Sequence, residues 1–187
     1  MNANIDLSHV SLQTERLYIR PWKIEDLEDF YAYASIDGVG QMAGWNPHTS
    51  IDESRRILDS FIADKKEFAL ELQENRKVIG SLGLEELYTD IGEPYTRLKG
   101  REIGYVLSMD YWGNGLMPEA VSRVVQFCFE EEKLDFLQCS HSVENIQSQR
   151  VIEKCGFKFV KELMRRGING VEHMSRFYVL NNAYIVA

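Results

Sequence analysis

The chain is poor in several things that would each direct it to a different class of protein. Its 187 residues include only three cysteines, Cys128, Cys139 and Cys155, an odd number with no C-x-x-C spacing. That excludes a disulfide framework and a structural zinc site. His9, His48, His141 and His173 share no metal-ligand spacing, so no metal is expected. No apolar run approaches the ~20 residues that span a bilayer, and the opening residues 1–17 lack the basic and apolar regions of a secretory leader. The expectation is a cytoplasmic protein with no membrane partner. Basic charge is also in deficit, with 21 Lys and Arg against 29 Asp and Glu, a net charge of −8. Nucleic-acid binding draws its affinity from clustered Lys and Arg, so nucleic acid is not expected as a partner. Repeats, low-complexity tracts and Pro/Gly/Ser-rich linkers are missing too. Residues 1–187 therefore read as a single domain of ordinary globular composition.

What is present is an alternation of strand and helix patterns. Thr14 to Arg20 reads as a first strand ended by Pro21. Lys23 to Ser35 places Ile24, Leu27, Phe30, Tyr31 and Ala34 on one helical face. Ser50 with Glu53 is a capping-box pattern, opening a helix whose buried stripe is Ile57, Leu58, Phe61 and Ile62. Phe68 to Leu72 and Val78 to Leu84 form a hairpin, Tyr88 to Gly100 is a surface excursion, and Arg101 to Met109 is the next strand. Val121, Val124, Val125, Cys128 and Phe129 recur at helical spacing. Leu137 to Ser142 is a short strand. Asn145 opens a last helix that Gly156 closes, and Phe157 to Leu163 and His173 to Leu180 finish as two strands around an Arg165–Gly170 turn. The order predicts an α/β fold with a mixed sheet.

The chemistry concentrates where the strand from Glu102 runs into Tyr111-Trp-Gly-Asn-Gly115 and a helix begins at once, with Pro118 suited to its first turn. Such a turn leaves backbone N–H groups free at the positive end of a helix, where a phosphate is held without a basic side chain. The spacing matches neither the mononucleotide P-loop nor the dinucleotide fingerprint. Asn145 and Ser148 head the helix after the next short strand. Capping explains both as readily as ligand binding does. Glu102 shares a face with Gly104 and Val106 by alternation, and Glu85 and Glu86 point to opposite faces of the preceding strand. Trp45 and Tyr88 lie in loops, Arg165 and Arg166 read as solvated turn charges, and Cys128 reads as packing.

Four of these stretches, in order, resemble the GNAT superfamily of acyl-CoA-dependent N-acetyltransferases. They are Thr14-Glu-Arg-Leu17 with Arg20-Pro-Trp22, Val78-Ile-Gly80, Tyr111 to Gly115 with Glu119-Ala120, and Asn145 with Ser148 followed by Glu153 to Phe157. Within the superfamily the chain is similar to the RimJ/RimL-like branch of ribosomal-protein N-terminal acetyltransferases. The resemblance implies a mixed, mostly antiparallel sheet of six to seven strands with helices on both faces, and a possible homodimer. It implies acetyl-CoA as cosubstrate, held by Trp112, Gly113, Asn114, Gly115, Leu116 and Met117, by backbone groups of Val106 and Leu107, and by Asn145 and Ser148. Trp112 and Met117 stand where the wider superfamily has Gln or Arg and Gly or Ala. Ile152 stands where many members have the tyrosine that protonates the leaving thiolate, and Ser148 is implied in its place. Glu102 is the implied base, with Glu85 its rival and with Glu85 and Trp45 as candidates to touch the acceptor. The expected reaction is direct attack of a primary amine on the thioester in a ternary complex. The amine is expected to be a protein or peptide N-terminus. The alternatives are a polyamine, antibiotic or amino acid as acceptor, or a CoA-binding regulatory module without turnover.

Overall fold

In a computed structural model that describes residues 1–183, the strands are β1 (Leu12–Gln13), β2 (Leu17–Pro21), β3 (Glu67–Leu72), β4 (Val78–Glu85), β5 (Gly100–Leu107), β6 (Phe136–Ser142), β7 (Lys158–Arg166) and β8 (Glu172–Asn181). The helices are α1 (Leu27–Ala34), α2 (Ile51–Asp64), α3 (Leu116–Glu130) and α4 (Ile146–Lys154). The strands form one sheet in the order β1-β2-β3-β4-β5-β6-β8-β7. Eight strands replace the expected six to seven because the two-residue β1 adds an edge, pairing Leu12 with Ile19. Every pairing is antiparallel except β5 with β6.

Strand alternation sends two different side-chain sets to the two faces. One face carries Leu17, Ile19, Phe68, Leu70, Leu82, Leu84 and Ile103 against α3. Each such fully buried side chain contributes about 1.5–3 kcal/mol. The α3 stripe is Met117, Ala120, Val121, Val124, Phe127 and Cys128, shifted from the expected set, with Val125 and Phe129 only partly buried at its margin. Residues Ala3, Ile5 and Leu7 also enter this core. The opposite face packs Ala69 and Val78 beneath Trp22, Leu27, Phe30, Tyr33 and Leu58 of the α1–α2 layer.

Local capping differs from the expectation in one detail. Ser50 Oγ accepts the Glu53 amide at 3.2 Å, but the Glu53 carboxylate takes the amide and hydroxyl of Thr49 instead of the Ser50 amide. Ile62 is exposed, so the buried stripe of α2 narrows to Leu58 with Ile57 and Phe61 beside it. Gly156 ends α4 at φ 87°, as a left-handed terminator should. No helix among the described residues is long and apolar enough to cross a membrane.

Candidate active site

The site begins where a pairing stops. β5 and β6 are bonded in parallel from Gly100↔Phe136 to Ile103↔Cys139, yet β5 continues to Leu107 and β6 to Ser142. Beyond Ile103 the two strands separate, and the β6-facing edge of residues 104–107 lines the cleft between them. The other edge of the same stretch stays paired to β4, Gly80↔Leu107 to Gly83↔Gly104, which holds it rigid.

At one end of the cleft, Gly113 and Gly115 have φ of 79° and 75°, conformations that side chains resist. Gly115 is the N-cap of α3 and offers no capping side chain. Among the described residues no acceptor takes the amides of Gly113, Asn114, Gly115, Leu116 or Met117. They form the positive end of a 15-residue helix, suited to an anion. Leu116 and Met117 bury their side chains in the core, so the bulk of Met117 points away from the amide surface. The Trp112 indole N–H donates to the Leu107 carbonyl at 2.8 Å and ties the loop to the end of β5. Arg16 braces the loop from outside, donating to the Asn114 carbonyl at 2.9 Å and to Glu119 at 2.8 Å.

Across the cleft, the Asn145 side chain accepts the Ser148 amide at 3.0 Å and donates to the Met42 carbonyl at 3.1 Å. Asn145 is therefore the cap of α4, and the Ser148 hydroxyl is left for another use. It lies 2.8 Å from the Tyr105 hydroxyl. Burial pushes the Tyr105 phenol well above its usual pKa, keeping it protonated. Ile152, buried beneath, leaves the cleft's hydroxyl chemistry to this pair. The loop carrying Met42 also accepts the Asn169 amide on the Gly44 carbonyl at 3.0 Å, joining it to the β7–β8 turn. Trp45 in that loop packs on His48, ring centroids 5.0 Å apart, while Tyr88 stands far out in solvent.

Glu102 is 4% exposed and faces the α1–α2 side. Its oxygens take hydrogen bonds from Ser140 at 2.7 Å, from Gln138 at 3.1 Å, and from the guanidinium of Arg165. Arg165 is thus no solvated turn charge: β7 runs on to Arg166, and its guanidinium crosses over Phe177 to reach Glu102. Arg101 lies on the other face, donating to the Ala3 carbonyl. Glu86 pairs with Lys66 at 2.9 Å, which holds its carboxyl below the usual range. Glu85 is on the face of Glu102, and Glu67, opposite Gly83 on the neighbouring strand, shares that face. Burial, and then the Glu85 carboxyl, raise the Glu67 pKa well above the ordinary carboxylate value. Tyr105, Arg165 and Glu67 were missed by sequence reasoning. Only the β3–β4 register, which sets Glu67 opposite Gly83, could have signalled the last.

The acetyltransferase (GNAT) domain model matches residues 16–158. The chain belongs to the GNAT acetyltransferases. A GNAT acetyltransferase of Bacillus anthracis superposes with TM-score 0.79 at 21% identity, over 92% of this chain and 99% of that one. The ribosomal-protein-S5-alanine acetyltransferase of Vibrio fischeri gives 0.72 at 20%, over 93% and 97%. A chimera of the Vibrio cholerae spermidine N-acetyltransferase SpeG and hSSAT gives 0.69 at 20%, over 91% and 98%. At such identities likeness speaks for the fold alone. The domain match over residues 16–158 is what fixes the family, and the RimJ/RimL-like branch stays open, since the like-folded chains include both a ribosomal-protein acetyltransferase and a spermidine acetyltransferase. The chain is a GNAT enzyme for acetyl-CoA-dependent acetylation of an amine.

Proposed function

We propose that the acceptor is the α-amine of a protein or peptide, acetylated by direct attack on acetyl-CoA in a ternary complex. The observation that carries this reading is the splayed β5–β6 cleft, with free amides at one end and polar walls at the other. The amides of Gly113 to Met117 suit the pyrophosphate, and backbone groups of Val106 and Leu107 suit the thioester arm. Ser148 protonates the departing thiolate. An α-amine has a pKa of ~7.7–8.0, so a fraction is already neutral and a weak base suffices.

The carboxylates Glu67, Glu85 and Glu102 on one sheet face favour a second reading, a small polycationic amine. Glu102 as base would first have to release Arg165, Ser140 or Gln138, and its geometry favours a role in fixing Arg165 at the cleft wall.

Acetyl-CoA consumption across an amine panel tests the choice, after calorimetry has measured acetyl-CoA binding. Peptides with free N-termini are expected to be consumed, and the same peptides with blocked α-amines to be inert. A polyamine with the higher kcat/KM would replace this reading by the second.

A further inference from the structure

We infer that Glu67 and Glu85 together form the base that takes the proton from the incoming amine, seated on a floor made by Gly83 and Gly104. The inference rests on amine acetylation itself, whichever amine is used.

Gly83 and Gly104 are paired across β4 and β5, at the row where β5 begins to leave β6. A Cβ on Gly83 would stand under 3.0 Å from the Glu67 carboxyl, so that carboxyl occupies the space the glycine leaves. A Cβ on Gly104 would be 3.9 Å from the Glu85 Cγ. Two acids from different strands thus stand over paired, bare backbone positions, one residue pair from Val106 on the same face.

A second observation points to an incoming ligand. The Tyr33 hydroxyl is buried, 2% exposed, with the Ser81 hydroxyl of this same sheet face in reach and the Glu67 and Asp26 charges nearby, yet among the described residues it completes no hydrogen bond of good geometry. A poorly satisfied buried hydroxyl within reach of the Glu67 charge fits a polar group that arrives only in the complex. The other charged groups around the pair are Lys65 at the close of α2, itself paired with Asp6, Glu102 on β5 opposite Glu85 and paired with Arg165, and, near Tyr33, Asp26 paired with Arg20.

Burial first, and then the Glu85 carboxyl, raise the Glu67 pKa, so Glu67 is the member that takes up the proton. In the doubly ionised form the pair attracts the ammonium and accepts one proton from it. The neutral nitrogen then forms the C–N bond at the thioester carbonyl, and the C–S bond breaks. The remaining excess proton on nitrogen passes to the thiolate through Ser148, and the pair returns its proton to solvent. Glu102, with its oxygens occupied, is not needed for the transfer.

The test measures kcat/KM against pH for wild type, Glu67→Gln, Glu85→Gln and Glu102→Gln, with acetyl-CoA calorimetry to establish folding. Glu67→Gln should lose about 10²-fold or more and its acidic limb, with acetyl-CoA affinity unchanged. Glu85→Gln should move the acidic limb to lower pH, because Glu67 then ionises without a charged neighbour, an effect no structural role would produce. An acidic limb intact in Glu67→Gln, or abolished by Glu102→Gln alone, would overturn the inference. A readout independent of turnover separates this from failure on the choice of acceptor. Infrared titration of the wild type should show a protonated carboxyl persisting above the ordinary carboxylate range and missing in Glu67→Gln. Its absence from wild type would equally refute the pair.

Discussion

Two glycines on β4, three residues apart, should respond to alanine in opposite ways. A Cβ on Gly80 would meet the Val106 carbonyl oxygen under 3.0 Å away, the Leu107 Cα at 3.1 Å and the Leu107 Cδ1 at 3.2 Å. Two of these three atoms are backbone, and they belong to the stretch of β5 that lines the cleft. The strand itself must move, at the overpacking cost of about 1–3 kcal/mol. For a chain of this size each kcal/mol corresponds to roughly 2–4 °C, so the melting temperature should fall by about 2–12 °C. Acetyl-CoA affinity should fall with it, since Val106 and Leu107 shift. Gly83→Ala meets only the end of the flexible Glu67 side chain, which can swing aside. Neither glycine has a positive φ, so alanine also removes about 0.4–1 kcal/mol of unfolded-state entropy. Gly83→Ala should therefore melt near the wild-type temperature and bind acetyl-CoA normally, while its kcat/KM drops because Glu67 is displaced from Glu85. Differential scanning calorimetry, acetyl-CoA titration and initial rates on both variants decide the matter. A Gly83→Ala protein with full activity, or one destabilised more than Gly80→Ala, would refute the placement of Glu67.

Glu119→Ala removes the carboxylate that fixes Arg16 beside the Asn114 carbonyl. The ion pair is partly exposed and worth less than about 1 kcal/mol, so stability should hold while the KM for acetyl-CoA rises several-fold. Burial lowers the His48 pKa, so the fold disfavours its protonation and stability should fall as pH drops below about 6.5, a slope that urea denaturation should find flattened in His48→Gln. Glu67 has the opposite sign. Its raised pKa means that stability is lost as pH rises through the folded value, and Glu67→Gln should be the more stable protein at alkaline pH.

What could be read from the chain and what could not differ in the distance over which the cause acts. Gly113 and Gly115 lie within one turn, and the strand before it and helix after it are each encoded by neighbours, so the anion-binding end of the cleft is legible without any tertiary knowledge. The hairpin of β3 and β4 is legible for the same reason. Its register is not: the pairing slips between Leu70 and Glu71, and only the slipped alignment says which glycine lies under which acid. Arg165 shows the limit more sharply. Two arginines before a glycine look like the edge of a turn, and β7 follows β6 and α4 in the chain. Yet β8 returns between β6 and β7, so the partner of Arg165 is Glu102, 63 residues away on a strand it does not touch. Tyr105 and Ser148, 43 residues apart, meet for a related reason: α4 starts just after β6, the strand that leaves β5. The groups proposed to bind the anion are therefore set by local sequence, while those proposed to handle protons are set by strand order and register. The acyl-donor end should accordingly tolerate substitutions that preserve the turn. The acceptor end should change its chemistry with a single residue that alters who faces whom across β4 and β5.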